Sequence, residues 1–143
     1  MTVLVEVGDY ANVDAEVLEE AVRHTVAREG GEVIEISLAL LGDDDLRELN
    51  RRFLGHDRPT DVIAFTLGED AERVGDVYLG VDQARRQAEE LGVPVDQELV
   101  RLAVHGTLHV LGHDHPEGED RYDSPMFILQ ERIVAELTED GAA

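Results

Sequence analysis

The chain has 143 residues, one domain's worth, with 33 acidic against 12 basic residues and a net charge of -21. It has no cysteine, which excludes disulfides and thiolate metal sites and leaves His, Asp and Glu to hold any transition metal. The basic residues are all arginine, and a surface this acidic repels polyanions unless salt screens it.

In chain order, residues 2–7 (TVLVEV) read as a strand, and from Asp14 the positions Val17, Leu18, Ala21, Val22 and Val26 recur with helical spacing until Gly30 and Gly31. Residues 32–41 (EVIEISLALL) are too continuously apolar for a solvated face and predict an inner strand. Asp43 is positioned to cap a short helix with Leu46, Leu49 and Phe53 on one face, and LGHDRPT is a loop. Residues 61–67 and 74–81 predict two more strands, the second passing into a helix capped by Asp82 and ended by Gly92.

Asp96 then opens a helix whose run from Leu99 to Leu111 is apolar on nearly all sides, as in a helix buried in the middle of a domain. Gly112 provides a left-handed stop, HDHPEGEDRYD is a polar loop, and Ser124-Pro125 starts a last amphipathic helix. The order β-α-β-α-β-β-α-α-α predicts an α+β fold over residues 1–143 as a single domain: one mixed sheet of about four strands covered by helices, with a central buried helix carrying two metal ligands. Nothing in the sequence reaches the roughly 20 apolar residues of a membrane span, and no basic flank precedes the first apolar run, so a cytoplasmic protein without a membrane partner is expected.

Four of the six histidines fall within HGTLHVLGHDH, residues 105–115. His105 and His109 stand one turn apart on one helix face, where two imidazoles reach one ion. Gly112 lets the chain reverse so that His113 or His115 comes back over that face, and the frame H-x-x-x-H-x-x-G-x-x-H favours His115 as third ligand. Three neutral nitrogens leave a tetrahedral zinc, one per chain, with a position open to water. Asp114 is a candidate for orienting a ligand imidazole, and His113 and Asp114 are weak candidates for proton transfer beside a metal-bound water. His24 and His56, isolated in sequence, read as structural.

In zinc peptidases a glutamate follows the first histidine and moves the proton; here that residue is Gly106. A peptidase would need a carboxylate from elsewhere, such as Asp57 or Asp61. Phosphodiester cleavage asks less of a protein base, and Gly106 would leave room at the ion for a bulky substrate.

HGTLHVLGHDH resembles the signature H-G-x-L-H-L-x-G-x-D-H of the bacterial YbeY family, metal-dependent endoribonucleases that act as rRNA maturation factors. LNRRFLGHDRPTDVIAF (residues 49–65) is similar to that family's L-N-x-x-Y-R-x-x-D-x-P-T-D-V-L-S-F segment, GDVYLGVDQARRQAEELG (75–92) to its G-D-I strand and following helix, and Met126 and Gln130 fall where its last helix has them. The resemblance implies zinc on His105, His109 and His115, hydrolysis of single-stranded RNA, a part in rRNA processing and ribosome quality control, and ribosomal subunit proteins as partners. The family's arginine after the aromatic residue is Leu54 here; Arg51, Arg52 and Arg58 are the nearby candidates for substrate binding, and Arg85, Arg86 and Arg101 are candidates to extend such a patch. Two alternatives stand beside this reading: a metal-dependent peptidase or other small-molecule hydrolase, and a non-catalytic assembly factor in which the metal staples the loop.

The acidic surface has two readings, an ordinary acidic protein kept soluble by its charge or a host with a salty cytoplasm, where molar salt shortens the Debye length to about 3 Å; the second is testable. On that reading urea unfolding gives a higher stability in molar KCl than in dilute buffer; equal or greater stability in dilute buffer contradicts it.

Overall fold

The computed structural model describes residues 1–10, 12–55, 60–114 and 124–142. Strands β1 (Thr2–Glu6), β2 (Glu35–Leu41), β3 (Val62–Leu67) and β4 (Val74–Gly80) form one mixed sheet in the order β1-β2-β4-β3. β1, β2 and β4 run parallel, and β3 closes one edge antiparallel to β4. The helices are α1 (Ala15–Glu29), α2 (Asp43–Leu54), α3 (Val81–Leu91), α4 (Val95–Val110) and α5 (Pro125–Ala142), with a short 3-10 turn at Asp70–Glu72. The α+β class, the four strands and the five helices match the sequence reading. The strand order, in which β4 slips between β2 and β3, was beyond it.

Helix starts differ from expectation in an instructive way. Asp14 caps α1 as expected, its carboxylate accepting from the Glu16 amide at 2.9 Å. Asp43, Asp82 and Asp96 are not N-caps: Gly42, Gly80 and Pro94 occupy those positions, and the three aspartates lie in the first turns. There they favour the positive end of each helix dipole. Asp82 still satisfies a first-turn donor, but of a different helix, since its Oδ2 accepts from the Asp43 amide of α2 at 2.9 Å.

The alternation along β2 and β4 puts Ile36, Leu38, Leu40, Val77 and Leu79 on one face, where they meet Leu18, Ala21 and Val22 of α1 and Leu99, Ala103, Val104 and Leu108 of α4 in a common core. α4 is covered on several sides: it touches the sheet and also packs on α1, α3 and α5. The hydroxyls of Thr107 in α4 and Thr25 in α1 are buried yet bonded, each to the carbonyl four residues back at 2.7 Å. The other sheet face carries an edge-to-face series of Phe53 from α2, Phe65 and Tyr78.

The seat of α4 on the sheet is set by two reciprocal close approaches. A Cβ on Gly75 of β4 would lie 2.6 Å from both methyls of Val110, and a Cβ on Gly106 of α4 would lie 2.5 Å from a methyl of Val77. Glycine on each element thus receives valine from the other. Replacing Gly106 by alanine gains up to about 1 kcal/mol of helix propensity but overpacks a site where insertion costs about 1–3 kcal/mol. Gly106→Ala is therefore expected to lower stability in urea unfolding by about 1–2 kcal/mol, and an unchanged or raised midpoint would show that the sheet gives way freely.

Candidate metal centre

Most of α4 faces protein, but Glu98, Arg101, His105 and His109 recur at three- and four-residue spacing and form one polar stripe along it. The stripe lies about a quarter-turn from the residues seated on the sheet, Gly106 and Val110, because each residue advances about 100° around the helix. Its two histidines meet: the Nε2 atoms of His105 and His109 are 3.1 Å apart and the rings stand edge to face at 78°.

That separation fits a shared ion. A tetrahedral zinc bound to two imidazoles at 2.0–2.1 Å holds their nitrogens about 3.3 Å apart. His115, the expected third ligand, lies outside the described residues, as do His56, Asp57 and Arg58. Among the described residues no cluster of three metal-ligating side chains occurs. His105 and His109 are therefore the part of the expected ligand set that the fold demonstrably brings together.

A chain of hydrogen bonds fixes which nitrogen of His105 faces its neighbour. Glu131 carries a carboxylate that only accepts, so the Gln130 amide turns its NH2 toward it, 3.1 Å away, and its Oε1 toward His105 Nδ1 at 2.6 Å. An amide oxygen accepts, so Nδ1 bears the proton and Nε2 keeps its lone pair. Glu131 is itself clamped by Arg101 Nε, at 2.9 and 3.1 Å to its two oxygens, and Arg101 Nη1 donates to Glu98 at 2.6 Å. Gln130 is 4% exposed and Glu98 3%, so neither exchanges these partners for bulk water. Burial pushes the Glu98 carboxyl above the ordinary carboxylate range, with Arg101 only partly opposing it. Burial would lower the Arg101 pKa, but its bonds to Glu131 and then Glu98 outweigh this and hold it above its usual value.

Beside His105 opens a cavity of about 370 Å³, walled by α3, the stripe of α4 and the start of α5. Asp61, one of the two carboxylates on which a peptidase could draw, lines it and accepts from Gln87 Nε2 at 3.2 Å.

Other sequence candidates are placed elsewhere. His113 contacts Glu29 at the end of α1 at 3.0 Å, and Asp114 is exposed in the segment after α4. His24 pairs with Glu136 of α5, as suits a structural histidine. Arg51 is bound to Glu48, Arg85 to Asp82 and Arg86 to Asp43, while Arg52 lies over the Phe53 ring. Arg101 is held by Glu98 and Glu131, so among the described members of the expected arginine patch Arg51, Arg85, Arg86 and Arg101 each have a carboxylate partner. The idea that Gly106 leaves room at the ion is also corrected: Gly106 is buried against Val77 and Val62, so its missing side chain serves packing. The same contact leaves no space for a glutamate at that position.

The line from Glu98 to Gln130 was not singled out from the sequence, although polar residues at 98, 101, 105 and 109 in an apolar helix were a usable signal. Partners of this kind typically tune metal affinity by about 10–100-fold. Gln130→Leu is expected to weaken metal binding by a factor in that range in a chelator competition while circular dichroism stays unchanged; an unaltered affinity would show that the His105 ring is oriented by other means.

The family model described as Endoribonuclease YbeY matches residues 5–138. An Endoribonuclease YbeY of Persephonella marina is 37% identical over 137 residues, covering 92% of this chain and 88% of that protein. Another, of a Sulfurihydrogenibium species, is 41% identical over 109 residues, covering 73% and 71%. The solution structure of a Thermotoga maritima protein superposes with a TM-score of 0.68 at 30% identity, over 99% of this chain and 92% of that one. Family model, relatives and fold agree, and the chain belongs to the YbeY endoribonuclease family.

Proposed function

We propose that this chain is a metal-dependent endoribonuclease of single-stranded RNA, acting in rRNA maturation and ribosome quality control in the cytoplasm, with one zinc ion held by His105, His109 and His115. The observation that supports this most is the convergence of the His105 and His109 Nε2 atoms at 3.1 Å in a member of an endoribonuclease family. No helix among the described residues is long and apolar enough to cross a membrane.

When bound, such an ion supplies Lewis acidity, positive charge beside the phosphodiester and an acidified water. The chain's own residues do the rest. Gln130 keeps the His105 lone pair directed toward His109. Gly106, seated on the sheet, leaves no peptidase-type glutamate beside the first histidine, which weighs against the peptidase reading. Asp61 is one of the described carboxylates that line the cavity and can take a proton there. Arg51, Arg52 and Arg58 remain the proposed contacts to the RNA backbone, with Arg51 having to exchange Glu48 for phosphate. Ribosomal subunit proteins, as partners, would deliver a polyanion that a chain of net charge -21 attracts poorly on its own.

One feature favours a second reading, a non-catalytic assembly factor: at the end of α2 the exposed Leu54 stands where the family segment has arginine. Metal analysis and an RNA cleavage assay separate the two. The purified protein is expected to carry about one metal per chain and to cut single-stranded RNA, and His109→Ala to lose both. Metal without cleavage supports the assembly factor, and cleavage that survives in His109→Ala contradicts the metal-dependent mechanism.

A further inference from the structure

The cavity beside His105 has features of a ligand site beyond the metal ligands. At about 370 Å³ it falls in the range of pockets that enclose small organic molecules. Its apolar wall includes Phe127 in the first turn of α5 and Leu91 at the end of α3, the latter 60% exposed. An aromatic and an aliphatic side chain in one cavity lining suit a flat heteroaromatic ring, since proteins hold unstacked bases of single-stranded RNA against such side chains.

Charge selects what enters. Among the described residues the lining carries four carboxylates, Asp61, Glu90, Glu98 and Glu131, against one guanidinium, and Arg101 is already committed to Glu98 and Glu131. A phosphate is repelled, whereas a neutral ring is not. The polar groups left for a ligand are mostly acceptors. Gln87 directs one N–H of its amide to Asp61, and its Oε1 has no donor among the described residues. Glu90, one turn from Gln87, is an exposed carboxylate. Gln83 is the counterexample: its Oε1 takes two bonds from Arg86, at 2.7 and 3.0 Å, so its NH2 is the group it can offer.

We propose that this cavity is a base subsite that takes an amino-bearing nucleobase of the RNA, cytosine, adenine or guanine, and discriminates against uracil. The exocyclic amine donates to Gln87 Oε1 and Glu90, and a neighbouring acceptor of the base meets the Gln83 amide. Uracil presents one N3–H between two carbonyl oxygens on that edge where the amino bases present an amine with two N–H groups, so it leaves one of these two acceptors unpaired. Its placement next to His105 makes it the pocket that sets which nucleotide lies beside the scissile bond. The inference rests on the endoribonuclease reading and adds the base preference to it.

The test has two arms. In the first, otherwise identical single-stranded oligonucleotides with cytosine or uracil around the cut are compared with wild type, Gln87→Leu and Gln87→Glu. Cytosine is expected to be favoured about tenfold in kcat/KM, the preference to collapse in Gln87→Leu and to persist in Gln87→Glu, which keeps an acceptor. In the second, cytidine and uridine are titrated into metal-free protein and followed by the NMR signals of the Phe127 ring, with cytidine expected to bind more tightly. Equal cleavage of the two oligonucleotides, or equal shifts from the two nucleosides, overturns the base subsite while leaving the nuclease reading intact. If no RNA is cut, the nucleoside arm decides alone: cytidine-selective shifts uphold the subsite even as the nuclease reading fails.

Discussion

The pair of close approaches between α4 and the sheet, Val110 over Gly75 and Val77 over Gly106, is the constraint on which the rest of the molecule depends. It leaves no room for another rotation of the helix: turning α4 by one residue would drive a side chain into β4. With the rotation fixed, the polar stripe of Glu98, Arg101, His105 and His109 is directed at the space between α3 and α5. A helix otherwise enclosed by apolar neighbours thus presents its few polar groups along a single line. The order of cost is informative, since an overpacked glycine loses a few kcal/mol at most, whereas a buried unpaired charge on a rotated stripe would cost more.

Along that line the charges are arranged in sequence. Glu98, Arg101 and Glu131 form a part-buried ion triad, Gln130 donates to the last carboxylate and turns its Oε1 outward as a directional acceptor, and His105 Nδ1 donates to it. Part-buried ion groups of this kind are weak contributors to net stability. Their value here is orientation, because each member has one satisfactory way to face the next. The same network accounts for a puzzle in the composition. Among the described residues Arg51, Arg85, Arg86 and Arg101 are all bound to carboxylates, and the proposed recognition of RNA through a base asks for no cation from them.

Much of the fold was legible in the sequence because hydrophobic periodicity is local: the four strands, the five helices and the burial of α4 follow from patterns within single segments. What failed was non-local. Asp43, Asp82 and Asp96 looked like N-caps by type and position, but a cap depends on the backbone of the residue that ends up there, and Asp82 caps a helix 39 residues away in sequence. The insertion of β4 between β2 and β3 likewise depends on pairing energies that no window of sequence contains. At the site, His105 and His109 were readable from helical spacing. Gly106 was misread because a missing side chain looks the same in sequence whether it makes room for a substrate or for Val77. Gln130 and Glu131 went unassigned because their role exists only once α5 lies against α4.

The most direct test of the account is the tautomer of His105 in the metal-free protein, read by long-range nitrogen–proton NMR correlations of the imidazole rings. With Gln130 Oε1 at 2.6 Å, the neutral ring should be protonated at Nδ1, with the Nε2 shift of an unprotonated nitrogen. A proton on His105 Nε2 at neutral charge would mean that the line from Glu131 through Gln130 does not set the ring, and that the proposed metal centre is organised in some other way.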